Sequence, residues 1–317
     1  MNDKMKKILI GPVAILTLVL LAGGLAAGEK LEEKFARTES LARDGKVSVT
    51  NVSGTIQIRT WDKAEVQIDA VKVSEASSSA KAKENADLVT IEVIKEGNVV
   101  RVETKYPERR NFRGNLNVHV NYMLSIPDKA ALRVNNVSGD IDVQGIGGTL
   151  SIDEVSGRVK IVDAAGSVDC KTVSGGITLS GGTGEVNLKA VSGRISAAGI
   201  KGSIDAETVS GGITLKDVRN ARSVRAKTIS GGIDCETDIL SGGRYSFDAL
   251  SGGITLTLPS SAAFDLDAET FSGTIKTDFA VTVSGRVSPR ELRGTVGSGG
   301  ATLRVKSFSG TVEIRKK

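Results

Sequence analysis

Apolar and polar residues alternate along most of this chain. From Gly45 the pattern reads Val47, Val49, then Val52-Ser-Gly-Thr-Ile-Gln-Ile58, then Val66-Gln-Ile-Asp-Ala-Val-Lys-Val73. A period of two is the mark of strands with one buried face. Residues 74–87 break it with an Ala-, Lys- and Glu-rich run, which predicts one short helix. Strands are expected again at Val89–Ile94, Val99–Lys105 and Leu116–Ile126, before Pro127-Asp128 punctuates the chain.

Beyond residue 136 one unit dominates. Val137-Ser138-Gly139 returns at Val155, Val173, Val191 and Val209, five copies spaced 18 residues apart. Ile229-Ser-Gly231, Leu250-Ser-Gly252 and Phe271-Ser-Gly273 follow after steps of 20, 21 and 21, and Phe308-Ser-Gly310 ends the series after an irregular segment. Self-similarity at a fixed period predicts a solenoid. Counted from the leading Val, apolar residues hold positions 1, 5, 7, 14 and 16, often also 10, and glycine holds 3 and 12. Each unit is thus two nonapeptide halves, a glycine turn followed by a strand, with glycine permitting the positive φ of a reversal.

The expected fold is all-β: a single-stranded, parallel β-solenoid, flattened into two sheets with 18–21 residues per coil, a β-rich N-terminal portion and one short helix. The expected division is a signal peptide or membrane anchor over 1–27, a charged tether over 28–45, and a strand region over 46–135 with the helix near 74–87. The repeat solenoid would fill 136–317, its coils becoming irregular or capping over 271–317.

The N-terminus directs the chain outward. Lys4, Lys6 and Lys7 precede an uncharged run from Ile8 to Ala27 that ends in small residues, the layout of a signal peptide cleaved near Ala26 or Ala27. Uncleaved, residues 8–27 are about long enough to tether the chain in a bilayer. No cysteine follows the run, which leaves out lipidation there.

Composition narrows the chemistry. Aromatics are 3% of the chain while glycine numbers 37, which fits many thin aliphatic layers rather than one globular core. The net charge of +5, or +3 once residues 1–27 with their three lysines and one aspartate are gone, does not point to nucleic acid. The cluster Arg101, Lys105, Arg109, Arg110 and Arg113 is interleaved with Glu103 and Glu108 and reads as a solvated loop. One histidine, His119, sits in an alternating stretch and is expected to face outward, which leaves Ser-His-Asp catalysis and histidine metal sites without material. Cys170 and Cys235 fall in different strands several coils apart, so both are expected as free core thiols.

Other solenoid chemistries fit poorly. Left-handed acyltransferase helices need an aliphatic residue every six positions, but position 13 holds Thr149, Ser167, Glu185 and Ser203. Calcium-binding rolls need an aspartate in every turn, and only Asp163 and Asp217 occur here. A short row at position 15, Asp169, Asn187 and Asp205, could serve a polysaccharide-active enzyme, but neighbouring Lys171, Lys189 and Arg158 make it a paired, solvated strand face. A Ser-Gly repeated in every coil without a base is a turn former, not a nucleophile. Register pairs are expected at Asp140–Arg158, Asp142–Lys160 and Asp153–Lys171.

The layout resembles the bacterial putative-adhesin family, β-strand-repeat domains of unknown function. The resemblance rests on Gly45-Lys-Val-Ser-Val-Thr-Asn-Val-Ser-Gly54, Thr60-Trp-Asp-Lys63, Thr104-Lys-Tyr-Pro107 and Val118-His-Val-Asn-Tyr-Met-Leu-Ser-Ile-Pro127. The Val-Ser-Gly array and the closing Gly299–Arg315 stretch complete it. It implies a β-solenoid, export, and no catalytic residues to carry over. The expected function is therefore a non-catalytic interaction module of the cell envelope or surface, without catalytic, cofactor or metal residues, whose partner is an envelope or surface protein or polymer. No specific small molecule or nucleic acid is expected. A self-assembling scaffold is the alternative, with the irregular 271–307 segment and the basic Arg315-Lys-Lys317 tail reading as a guarded solenoid end. A polysaccharide-active β-helix is the second alternative.

Overall fold

A computed structural model of the protein describes residues 17–19, 29–107, 116–283 and 288–317. Among them are one helix and two 14-stranded sheets, here called front and back. Each repeat gives one strand to each sheet. Val168–Ser174 and Val186–Ser192 lie side by side in the front sheet, Ile177–Gly182 and Ile195–Ile200 in the back. The pairing is parallel and steps by one repeat, with Val168 beside Val186 and Ile177 beside Ile195. This is the flattened two-sheet solenoid that the period predicts.

Inward positions fill one continuous core from Leu41 to Ile314. In a typical coil Ile177 and Leu179 meet Val186 and Leu188, all at most 1% exposed. Each such side chain contributes roughly 1.5–3 kcal/mol on burial, largely offset by ordering the chain. Cys170 lies in the front sheet between Ile152 and Leu188, Cys235 in the back sheet between Leu215 and Leu256, both free and buried. Burial pushes both thiols well above the ordinary range.

The glycines answer two different demands. At position 3, Gly175 has φ of +150°, and a Cβ there would stand 1.8 Å from the carbonyl oxygen of Gly157 one coil away. At position 12 the φ of Gly166 is unremarkable; a Cβ would instead meet the Gly148 oxygen at 2.1 Å. At Gly166 close backbone stacking, more than handedness, is what excludes a side chain.

The order of coils in space departs from their order in the chain at both ends. Strands Lys46–Ser53 and Ile56–Trp61 form a coil that pairs directly with Ala131–Ser138 and Ile141–Gln144. Strands Val99–Lys105 and Val118–Pro127 stack on its other side. Residues 46–135 therefore extend the same ladder, with no break at 135/136. At the far end, Thr302–Ser309 and Val312–Lys316 form a regular coil that fills the slot between 244–258 and 264–277. The expected irregular terminus is thus a penultimate rung, and Arg315 and Lys316 lie inside the stack beside Thr257 and Leu258, not at its end.

Antiparallel strands cover three of the four ends of the sheets, while the back sheet ends at Ile275–Thr277 among the described residues. Glu65–Ala76 covers Val118–Pro127, Thr90–Glu96 covers Val99–Lys105, and Glu291–Val296 covers Phe264–Ser272. The segment expected as a charged tether is in fact the strand Glu29–Ser40, paired along its whole length with Glu65–Ala76. Its alternation is hidden because a glutamate takes an inward place. Glu33 is 5% exposed and bound by Lys72 at 3.0 Å and Lys83 at 3.1 Å. Burial alone would raise its carboxyl, but the two ammonium groups hold it below the ordinary value. Lys83 comes from the helix Ser79–Asp87, which lies within the predicted 74–87, is capped by Ser78, and packs Ala82 and Ala86 on Leu31.

Of the expected signal or anchor segment only Thr17–Val19 is described, a short strand antiparallel to Glu29–Ser40; the rest lies outside the described residues, as do Glu108, Arg109, Arg110 and Arg113. Arg101 pairs with Glu96 at 2.7 Å and Lys105 with Glu103. Among the described residues no helix is long and apolar enough to cross a membrane.

Candidate functional site

Alternation, carried through the front strands, decides where the leading residue of each Val-Ser-Gly points. In Val168-Asp-Cys-Lys-Thr-Val173 the first, third and fifth side chains are buried, so Val173 must face out. Of the apolar positions in the repeat, position 1 therefore lies outside the core. The Val series forms an outward ladder, one residue per coil. In stacking order it runs from Val52 through Val137, Val155, Val173, Val191 and Val209 to Ile229, Leu250, Phe308 and Phe271. Exposure lies between 39% at Val52 and 65% at Phe271. At about 4.8 Å per rung the ladder is roughly 43 Å long. It ends in Phe271 stacked on Phe308, ring centroids 4.7 Å apart and planes within 4°.

The ladder walls a shallow groove, with open stretches of about 640 Å³ over Thr50–Val209 and about 470 Å³ over Lys227–Phe308. The floor is the residue preceding each ladder position. Thr172 Oγ1 is buried without a partner, but most of the floor hydroxyls close a neighbouring turn: Thr208 donates to the Gly193 carbonyl at 3.1 Å, Thr228 to Gly211 at 3.0 Å, and Ser307 to Gly252 at 3.0 Å. That bond satisfies a turn carbonyl, which is why the position tolerates a buried polar group. At the Val52 end the floor is more polar. Asn136 Oδ1 and Glu154 Oε2 are buried without hydrogen-bond partners, and desolvation raises the Glu154 carboxyl above its ordinary value.

The opposite wall is a charged row at position 17, with the position-15 row beyond it. Register neighbours in the latter are Asp169, Asn187 and Asp205, as the spacing requires. Lys171 holds Asp169 at 2.8 Å, while burial and then Glu207 raise the Asp205 carboxyl. Asp169 and Asp205 stand two strands, about 9.6 Å, apart, with an amide between them. Asp140 receives the Arg158 backbone amide at 2.9 Å and its guanidinium at 2.8 Å, and Lys160 lies 3.7 Å from Asp142. The third expected pair differs: Lys171 turns to Asp169 in its own strand, and Asp153 accepts from Arg133 at 2.9 Å instead. His119 is half-buried opposite Val73. Among the described residues no three His, Cys, Asp or Glu side chains converge as metal ligands.

Several solved structures are similar. A putative adhesin from Bacteroides fragilis matches over 89% of this chain and 96% of its own at 12% identity and a TM-score of 0.39. A putative adhesin from Parabacteroides merdae matches over 89% and 95% at 12% identity and 0.37. A putative lipid binding protein from Parabacteroides distasonis matches over 90% and 96% at 13% identity and 0.38. No curated protein matches. The Toastrack DUF4097 family model matches residues 45–315, the whole span from the first coil of the ladder to the last, and the chain belongs to that family.

Proposed function

We propose that this chain is an exported, non-catalytic interaction module of the bacterial cell envelope, and that the aliphatic ladder is its contact surface. The observation that carries this reading is the ladder itself. Ten apolar side chains aligned on one edge of a rigid scaffold contribute little to the core, and contiguous exposed apolar strips of this kind mark interaction sites. The basic residues before the 8–27 apolar run support export. The acidic row supports a polysaccharide-active enzyme poorly, since its one perturbed carboxylate has an amide, Asn187, as its neighbour on one side and Arg225 on the other. The antiparallel closing strands disfavour end-to-end polymerisation, because they occupy edges a further coil would need.

The test is co-sedimentation of the purified chain with an envelope fraction of its native host, beside fractionation of that host. The wild type is expected to pellet with the envelope. A Val137→Ser/Val155→Ser variant is expected to remain in the supernatant with an unchanged circular dichroism spectrum. A wild type that binds no cells, envelope polymer or envelope protein overturns the reading, as does a purely cytosolic location.

A further inference from the structure

We infer that the part of the ladder from Val173 to Phe271 docks face to face, in antiparallel sense, on a second copy of this chain. The inference rests on reading the ladder as a contact surface and adds what that surface takes. A two-fold axis lying in the interface and running across the ladder reverses the order of rungs and sets each row of outward side chains opposite itself. With the axis between Ser223–Ser230 and Arg244–Ser251, Lys227 meets Asp248 of the second copy, and Glu207 meets its Lys306. One and two rungs further out, Lys189 meets Glu269 and Lys171 meets Glu291. The next row obeys the same symmetry. Asp205 meets Arg304 and Asp169 meets Arg293, while Arg225 falls on Ser246 and Asn187 on Asp267. Within these two rows no like charges oppose each other. A shift of one rung sets Lys189 against Lys306 in one direction and Glu207 against Glu269 in the other.

A feature of the single chain points the same way. Along the position-17 row signs alternate from Glu207 to Glu269, but two adjacent pairs are alike: Lys171 beside Lys189, and Glu269 beside Glu291. Like charges directly across neighbouring strands are unfavourable. Within one chain each of the four lies beside one opposite charge, Lys171 with Asp169 at 2.8 Å, Lys189 with Glu207 at 3.3 Å, Glu269 with Lys306 at 2.7 Å and Glu291 with Arg293 at 3.3 Å, so what the dimer would relieve is the repulsion between like neighbours. The basic pair and the acidic pair lie equally far from the axis, so in the dimer each covers the other.

The apolar rungs complement one another in size. Ile229 faces Leu250, Val209 faces Phe308, and Val191 faces Phe271, a small side chain against a large one as the ladder widens toward its aromatic end. Eight overlapping rungs, about 38 Å, by a strip about 17 Å wide would bury roughly 650 Å² per copy, within reach of a specific interface. Val52, Val137 and Val155 remain uncovered at both outer ends, which would make the dimer a two-headed form of the envelope-binding module.

The test is sedimentation analysis of the full chain and of two charge reversals, Glu207→Lys and Lys306→Glu. These residues sit three rungs apart in one chain, about 14 Å, so neither reversal repairs the other within a chain. The wild type is expected to sediment at twice the mass of one chain. Each single variant is expected to weaken dimerisation by about a hundredfold or more, because each places like charges in contact at two symmetric points. An equimolar mixture of the two variants is expected to recover the dimer, since every contact between unlike variants is again complementary. A monomeric wild type at about 100 µM, or a mixture that stays monomeric, overturns the inference. Envelope binding by a monomeric wild type would leave the contact-surface reading standing without the dimer; a dimer that binds no envelope would do the reverse.

Discussion

Gly175 and Gly176 are adjacent in one turn, yet alanine should act very differently at the two. At Gly175 the Cβ would stand 1.8 Å from the Gly157 oxygen, and φ is +150°. The conformational strain is of order 1–3 kcal/mol, and forcing the coils apart adds a similar amount. Separation would also strain the bond from the Gly157 amide to the Ser174 carbonyl, 3.1 Å long, which joins the same two coils. Gly175→Ala should therefore cost about 3–5 kcal/mol. At Gly176 the nearest atom to a Cβ, the Arg194 oxygen, is 3.2 Å away and φ is ordinary. Relief of unfolded-state entropy offsets the small contact, and Gly176→Ala should lie within about 1 kcal/mol of wild type. Repeat proteins open locally, so urea unfolding should be read together with hydrogen exchange in the coils around residues 155–193. Equal midpoints and equal exchange for the two variants would refute the argument that glycine is required by carbonyl stacking.

Leu179→Ala, in the core, should cost about 2–5 kcal/mol in urea unfolding, whereas Val173→Ala, 49% exposed, should cost within about 1 kcal/mol; similar losses would place the ladder inside the fold after all. Glu154→Gln should stabilise the chain at pH 7 by roughly 1–2 kcal/mol, since it keeps the acceptor for the Ser156 amide and removes a desolvated carboxylate. The folded-state value of Glu154 is raised by desolvation, so the wild type carries its penalty above that value and loses it as pH falls through the ordinary carboxylate range. The advantage of Gln should shrink on the same descent, and a gain independent of pH between 7 and 3.5 would contradict the cause given.

Local pattern carries the repeat because a parallel coil satisfies its neighbours at a fixed chain separation. The 18-residue step, the inward rows such as Ile177 and Leu179, the glycine turns and the separation of Cys170 from Cys235 follow from that step alone. The outward place of the Val series was legible too, in the unbroken alternation from Val168 to Val173, but is masked where hydrophobicity is equated with burial. Family membership was likewise readable from the strand motifs flanking the array. Three features belonged to the tertiary structure alone. The coil 302–316 enters a slot between earlier coils, the coil 46–61 is covered by strands that follow it, and the charged segment 29–40 becomes a strand around a doubly paired Glu33. Each depends on which unpaired edge is free when a distant segment arrives. Edge hydrogen bonds come from backbone groups that every sequence carries, so no local pattern records the partner.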